Sequence, residues 1–403
     1  MTTNISPERA AGLALAFSCL GHAYSHLFAP IFYVVVLALE HEFALTHGGT
    51  VELIVVGNVL YGVAAPFAGW LGDRWSTTGM VALFFLGTGA GMVATGLAGS
   101  PFEIGLGLAV TGLFASIYHP VGIAWLVRNA RSWGKELGIN GVFGGLGPAA
   151  ASLTAGALVD LAGWRAAFIV PGLIVLATGF AFCVLRWRGF IVETKVDRRP
   201  PPESRHGDMV RAFLVLSLTM LCSGLIYQAT QPALPKLFAE RIDTLVRDGV
   251  LGVSMLVAFV YVVSGGLQVL AGHLADRFPM KLVYVVCFAL QVPLLMLAGA
   301  LGGGPLMAVA MLMVSINVGA LPAENGLVAR YSPANRRGLA FGLKFILAFG
   351  ISGFGVQLEG AFYDRTGGFT ALFVVLAAIA AVGFAAACLL PSERRKTALA
   401  AAE

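Results

Sequence analysis

"GWLGDRWSTTG" at residues 69–79 and "GHLADRFPMK" at 272–281 are two versions of one loop, set 203 residues apart. Each carries G-x-L-x-D-R, and each follows a long apolar run. The offset extends outward in both directions. Tyr24 matches Tyr227 at 203, while Gly138 matches Gly342, Asp160 matches Asp364 and Gly163 matches Gly367 at 204. "GINGVFGGLG" followed by "DLAGWR" thereby aligns with "GLKFILAFG" followed by "DRTGGF". A duplication on this scale is an internal parallel repeat, and it asks for a fold built from two like halves.

The composition says what that fold sits in. The 403 residues are 58% hydrophobic and only 12% charged, with a mean hydropathy of +0.84. A soluble domain carries about 25% charged residues. The apolar residues come in blocks of roughly 20, the length of a helix that crosses a bilayer. In lipid, a helix satisfies all its backbone groups internally, so the expected class is all-α and polytopic. The first block is too long, and followed by too many others, for a cleaved leader. Cys19, Cys183, Cys222, Cys287 and Cys388 all fall inside apolar blocks without a CxxC pair. They read as packing residues, with no disulfide or metal framework. The pI of about 9.0 fits basic membrane loops, and no nucleic-acid partner is expected.

Twelve spans are expected, at 11–38, 50–71, 79–98, 103–127, 137–160, 165–187, 211–235, 249–271, 280–300, 304–329, 338–361 and 367–390. Pro30 is expected to bend the first. With the N-terminus in the cytoplasm, twenty of the 26 Lys and Arg residues fall on the inner side, five on the outer, and Lys344 alone inside a span. That bias predicts cytoplasmic termini. Residues 188–210, "RGFIVETKVDRRPPPESRHGDMV", are charged and Pro-rich. They read as a linker between an N-terminal half, 1–187, and a C-terminal half, 211–403.

The duplicated G-x-L-x-D-R loop, the twelve spans and the basic linker together resemble the major facilitator superfamily over the whole chain. The resemblance implies two pseudo-symmetric six-helix bundles that rock about a central site. It implies gating contacts for Asp73 and Arg74 and for Asp276 and Arg277. The physics agrees, since Asp73 can face a helix N-terminus or pair with an Arg from a neighbouring element. Ser76-Thr77-Thr78 stand where the family often has further basic residues.

A finer resemblance is to the fosmidomycin-resistance-like branch of proton-driven exporters. "GHAYSHLFAPIFYVVVLALEHEFALT" (21–46) is similar to that branch's opening, S-H-x-x-N-D with a later Glu-Phe and Leu-Thr. "YHPVGIAWLVR" (118–128) is similar to its F-H-P-E segment. His22 and His119 fall on motif histidines and Pro120 on the motif proline. His26 replaces the motif's aspartate, Ser25 its asparagine and Val121 its glutamate.

Ionisable residues at membrane depth are costly, so each is a candidate functional group. His22 and His26 are one helical turn apart and share a stripe with Ser18, Ser25 and Tyr33. They read as proton carriers or solute contacts, or as neutral hydrogen-bonded packing. A metal site needs two further good ligands, and none stands nearby in the sequence, so no metal is expected. His119 either faces the cavity or bonds the backbone loosened by Pro120. Glu324 and Lys344 lie at similar depth, roughly 9 Å into consecutive antiparallel spans by helical rise. They are placed to form a functional ion pair, with a structural lock or a snorkelling lysine as the alternatives. The repeat places Asn140 opposite Lys344. In span seven, Tyr227, Gln228 and Gln231 lie among Thr219, Ser223 and Thr230.

These observations predict a secondary transporter of a small organic solute, with organic anions among the candidate solutes, protons as the coupling ion and no cofactor. By resemblance it exports its solute as a monomer in a bacterial inner membrane. Uptake or uniport of a small carboxylate or phosphonate-like anion is the alternative, and a non-transporting sensor or scaffold is a third reading. No nucleotide-binding glycine loop, HExxH or G-x-S-x-G elbow is present, so no enzyme is expected.

Overall fold

The computed structural model describes residues 6–191, 206–242, 249–332 and 337–391. The described residues are helical, without strands. They contain eleven continuous or gently broken helices long and apolar enough to cross a membrane, and a twelfth that is sharply bent. Most of the expected linker lies outside the described residues.

Span one runs as Pro7–Ser25 and Phe28–Phe43, span three as Thr77–Leu97, and span four as Pro101–Ala115 with Ile123–Asn129. Spans five to nine are Trp133–Ala162, Trp164–Trp187, His206–Arg241, Gly249–Arg277 and Met280–Ala300. Span ten is Gly303–Gly319 with Leu321–Tyr331, span eleven Arg337–Phe345 with Phe354–Thr366, and span twelve Thr370–Cys388.

Prolines account for most of the interruptions. A proline ring cannot accommodate the carbonyl four residues earlier and has no N–H to give it. In span one, Pro30 conflicts with His26, and the break falls at His26–Leu27, one turn before the proline. Span two bends by 42° between His47–Val63 and Ala65–Arg74, with Pro66 in the first turn of the second piece. In span four, Pro120 lies in a π-helical turn over Tyr118–Gly122. Span ten breaks at Ala320, two residues before Pro322. Span eleven holds a second π-helical turn, Ile346–Gly350.

Two bundles result. One apolar core joins residues of spans one to six, from Ile31, Phe32 and Phe84 to Phe168 and Phe182. Spans seven to twelve hold two further cores, centred on Phe238, Leu306 and Phe373, and on Tyr284, Phe288 and Leu327. Between the bundles, span five packs along span eight and span two crosses span eleven. Small residues set the closeness. A Cβ on Gly62 would lie 2.1 Å from the Gly350 nitrogen, and one on Gly156 would lie 2.2 Å from Ser254 Oγ.

The polar contacts between bundles gather at the end that carries Asp160 and Asp364. At the opposite end, which carries Arg74 and Arg128, a Cβ on Gly138 or Gly141 of span five would meet nothing within 4 Å. Among the described residues, the polar contacts between bundles therefore concentrate at one end, while at the other Gly342 of span eleven packs against Pro66 of span two.

Candidate functional site

Two backbone irregularities deliver three imidazoles to one point. His26 stands at the span-one break with non-helical φ and ψ, and His22 lies one turn before it. His119 stands in the π-helical turn of span four. The ring centres of His22, His26 and His119 form a near-equilateral triangle with sides of 5.4, 5.3 and 5.2 Å. His22 Nδ1 lies 2.8 Å from the Asn140 carbonyl oxygen. A carbonyl only accepts, so His22 is the Nδ1–H tautomer and its Nε2 carries a lone pair. His119 Nδ1 is 2.9 Å from the Tyr61 hydroxyl. The His26 N–H donates to the Ala23 carbonyl at 3.2 Å, and its imidazole makes no hydrogen bond among the described residues.

A hydrogen-bonded floor supports this triangle. Asn140 Nδ2 donates to the Tyr118 hydroxyl at 2.8 Å and to Ser18 Oγ at 3.3 Å, and the Tyr118 hydroxyl donates to the Ser18 carbonyl at 2.6 Å. The His22 ring stacks on Tyr118 at 5.2 Å. Its other face needs Gly144, where a Cβ would come within 2.3 Å of the imidazole. Span eleven closes the triangle from the second bundle, with Phe345 packed 5.4 Å from His119.

One residue before Phe345, Lys344 forms an ion pair with Glu324 at 2.8 Å. Both are buried, at 6% and 1% exposure. Such a pair persists in an apolar interior when its remaining hydrogen-bonding capacity is met. Lys344 Nζ also donates to Asn325 Oδ1 at 2.5 Å, and the Tyr284 hydroxyl donates to the second Glu324 oxygen at 2.7 Å. The repeat is visible here. Asn140 on span five leans on Tyr118 of span four as Lys344 on span eleven leans on Glu324 of span ten.

The neutral candidates separate. Tyr227 and Gln231 line a small cleft of the second bundle with Tyr261, Asn317 and Gln291. Both amide atoms of Gln291 are buried without a partner, so this cleft has polar capacity to offer. Gln291 escapes sequence reading because an amide in a uniformly apolar span carries no charge and no motif. Gln228 instead packs against Gly355 of span eleven. Tyr33 is buried and accepts a 3.0 Å hydrogen bond from Asn58 inside the first bundle.

Of the expected gating residues, Asp73 accepts from Arg128 Nη2 at 2.6 Å, and Arg128 Nη1 donates to Thr77 in the first turn of span three. Arg74 lies over the Trp70 ring. Asp276 and Arg277 are exposed, and residues 333–336, which follow the neighbouring end of span ten, lie outside the described residues.

The other end holds a network that the sequence reading passed over. His47 Nδ1 contacts Glu40 Oε1 at 2.6 Å and its Nε2 contacts Glu359 Oε1 at 2.7 Å. Lys236 reaches the second Glu40 oxygen at 2.6 Å and lies 4.6 Å from the centre of the Tyr363 ring. Tyr363 donates in turn to Glu240. Glu40 and His47 belong to the first bundle, and Lys236 and Glu359 to the second. The available signal was Glu359 itself, a carboxylate inside the expected span 338–361.

A sequence profile decides the family. That of the Major Facilitator Superfamily matches residues 11–243 and again 216–403. The chain belongs to the Major Facilitator Superfamily. It is a membrane-embedded transporter and not an enzyme. Two crystal structures of the peptide transporter POT, with sulfate and with alafosfalin, resemble this superfamily member at TM-scores of 0.76 and 0.71. Their identities are 14% and 15%, and each alignment covers 96% of this chain and 98% of the other. A bacterial homologue of the human lysosomal transporter Spinster, inward-facing and unoccupied, aligns at a TM-score of 0.67 and 14% identity. That alignment covers 94% and 95% of the two chains. At these identities the likeness is one of fold. Comparison with curated protein sequences gave no match.

Proposed function

We propose that this transporter carries a small organic anion together with a proton, and that Glu324 and Lys344 couple the two. The observation that carries the reading is their buried 2.8 Å ion pair. Neutralising Glu324 with a proton removes the partner of Lys344 and leaves a buried cation in need of an anion. Proton and anion then favour each other's binding, and linkage makes that preference reciprocal. The two ligands move in the same direction. Exchange of solute for proton, as the fosmidomycin-resistance-like resemblance implies, needs them to compete instead. Net export then needs an outward anion gradient steeper than the inward proton gradient. The basic Arg74–Arg128 end faces the cytoplasm of a bacterial inner membrane, by the distribution of Lys and Arg.

The test is flux of radiolabelled carboxylates and phosphonates into proteoliposomes with an imposed pH gradient. Uptake should follow the gradient in the wild type, and Glu324→Gln should transport without sensing it. Flux in the wild type that ignores the gradient would leave a uniporter and remove the proton from the reading.

A further inference from the structure

We propose that His22, His26 and His119 form a three-imidazole coordination site for a divalent transition-metal ion of the Zn2+ class. The site stands apart from the Glu324–Lys344 pair and does not rest on the transport reading.

Geometry carries the proposal. One ligand nitrogen from each ring lies within 4.8 Å of the other two. A tetrahedral Zn2+ bound at about 2.0–2.1 Å to three imidazole nitrogens sets their ring centres about 5 Å apart. The observed triangle has sides of 5.2–5.4 Å. Sequence spacing supplies only two of these ligands. The third arrives because span four packs on span one, with the Pro120 turn set against the His26 break.

The outer contacts fit as well. Metal-bound histidines hold their second nitrogen on a carbonyl, carboxylate or other acceptor, which fixes the tautomer. His22 already does so through the Asn140 carbonyl, which leaves Nε2 as the ligand atom. His119 has the Tyr61 oxygen beside Nδ1, so that Nε2 is again available. His26 has both nitrogens uncommitted. Gly144 and Gly147 leave room for the His22 ring and the His26 Cβ respectively. Irregular backbone at membrane depth is tolerated where it lines a site, and π-helical turns recur at functional positions. Here a helix break and a π-helical turn each present one imidazole to the same point.

Three neutral imidazoles leave one tetrahedral position open and a net charge of two uncompensated. Water or an anion from solution completes the tetrahedron as the fourth ligand.

The experiment uses tag-free, chelator-treated full-length protein in detergent, titrated with Zn2+ by calorimetry and with Co2+ by visible spectroscopy. Neither solute nor a pH gradient is present, so a negative result leaves the proposed proton coupling standing. One equivalent should bind, with intense d–d bands of tetrahedral Co2+. His22→Gln, His26→Gln and His119→Gln should each weaken binding by about tenfold or more, and Tyr61→Phe by about tenfold through the lost outer contact. His41→Gln and His273→Gln, at exposed positions, should bind as the wild type. Absence of saturable binding, or binding unchanged in all three cluster variants, would overturn the site. Zinc K-edge absorption of the wild type supplies a measurement independent of variant folding. It should count three imidazoles, and fewer than three rules the site out.

Discussion

Asp160 and Asp364, equivalent positions of the repeat, each cap the start of a helix in the opposite bundle. Asp160 accepts from the Val250 and Leu251 N–H groups of span eight at 3.1 and 2.8 Å. Asp364 accepts from the Gly48 N–H and the Thr46 hydroxyl at the start of span two, at 3.0 and 2.7 Å. A carboxylate at a helix N-terminus meets unpaired N–H groups and the positive end of the helix dipole. Both approaches need glycine. A Cβ on Gly48 would lie 2.5 Å from Asp364, and one on Gly249, whose φ is +67°, would lie 2.6 Å from Asp160.

This reciprocal capping gives the closed end a measurable strength. Loss of one cap costs about 1 kcal/mol, or about fivefold in population. Asp364→Ala should therefore shift the protein towards separation at that end, and Asp160→Ala should do the same. Because the two caps lie on different seams, their effects should add. Distances between spin labels placed across the seam report the shift. Distributions that match the wild type in both variants would mean that the caps do not hold this end.

The His47 network makes the same closure depend on pH. An imidazole can donate from both nitrogens only as the cation, and His47 faces Glu40 on one side and Glu359 on the other. The contact is complete while His47 is protonated. As pH rises through its titration the ring keeps one N–H, and one carboxylate is left facing a lone pair. Alkaline conditions should therefore favour separation at this end. In His47→Gln the spin-label distances should lose this pH response. A wild type whose distances are constant from acid to alkaline pH would exclude the switch.

Much of this architecture was legible in the sequence, and what was not has identifiable physical reasons. Apolar blocks reveal helices because the lipid demands them, and the 203-residue repeat reveals two bundles. Glu324 and Lys344 stood out because charge inside a span is rare. Three features stayed hidden. The distance between span one and span four depends on packing, so His119 could not be joined to His22 and His26. Gln291 is neutral and resembles any interhelical amide. Glu40, His47 and Lys236 lie near helix ends, where charge is ordinary, so Glu359 inside its span stood without visible partners until the bundles met.

The Glu324–Lys344 pair should show itself in stability as well as in transport. Removing one member of a buried pair leaves an uncompensated charge and costs about 3–5 kcal/mol. Glu324→Gln and Lys344→Met should each lower the melting temperature in detergent. The double variant, with no buried charge left at this place, should be more stable than either single variant. Strictly additive losses would show that the two side chains act independently, despite their 2.8 Å separation.

Gly62 and Gly350 mark where the bundles come closest between spans two and eleven. Pro66 cannot donate to the Gly62 carbonyl, so span two bends just after Gly62. The π-helical turn that ends at Gly350 widens span eleven opposite it. Each irregularity brings bare backbone to the crossing, and a Cβ on Gly62 would stand 2.1 Å from the Gly350 nitrogen. That atom is backbone and cannot rotate away. Gly62→Ala should therefore wedge the bundles apart at the crossing. Gly138→Ala, where a Cβ meets nothing within 4 Å, should leave this arrangement in place. Cysteine cross-linking between spans two and eleven distinguishes the two variants. Gly62→Ala should cross-link more slowly than the wild type and lose most solute flux, because one of the two states needs this contact. Wild-type cross-linking and flux in Gly62→Ala would show that the crossing yields to a methyl group and does not set the closed geometry.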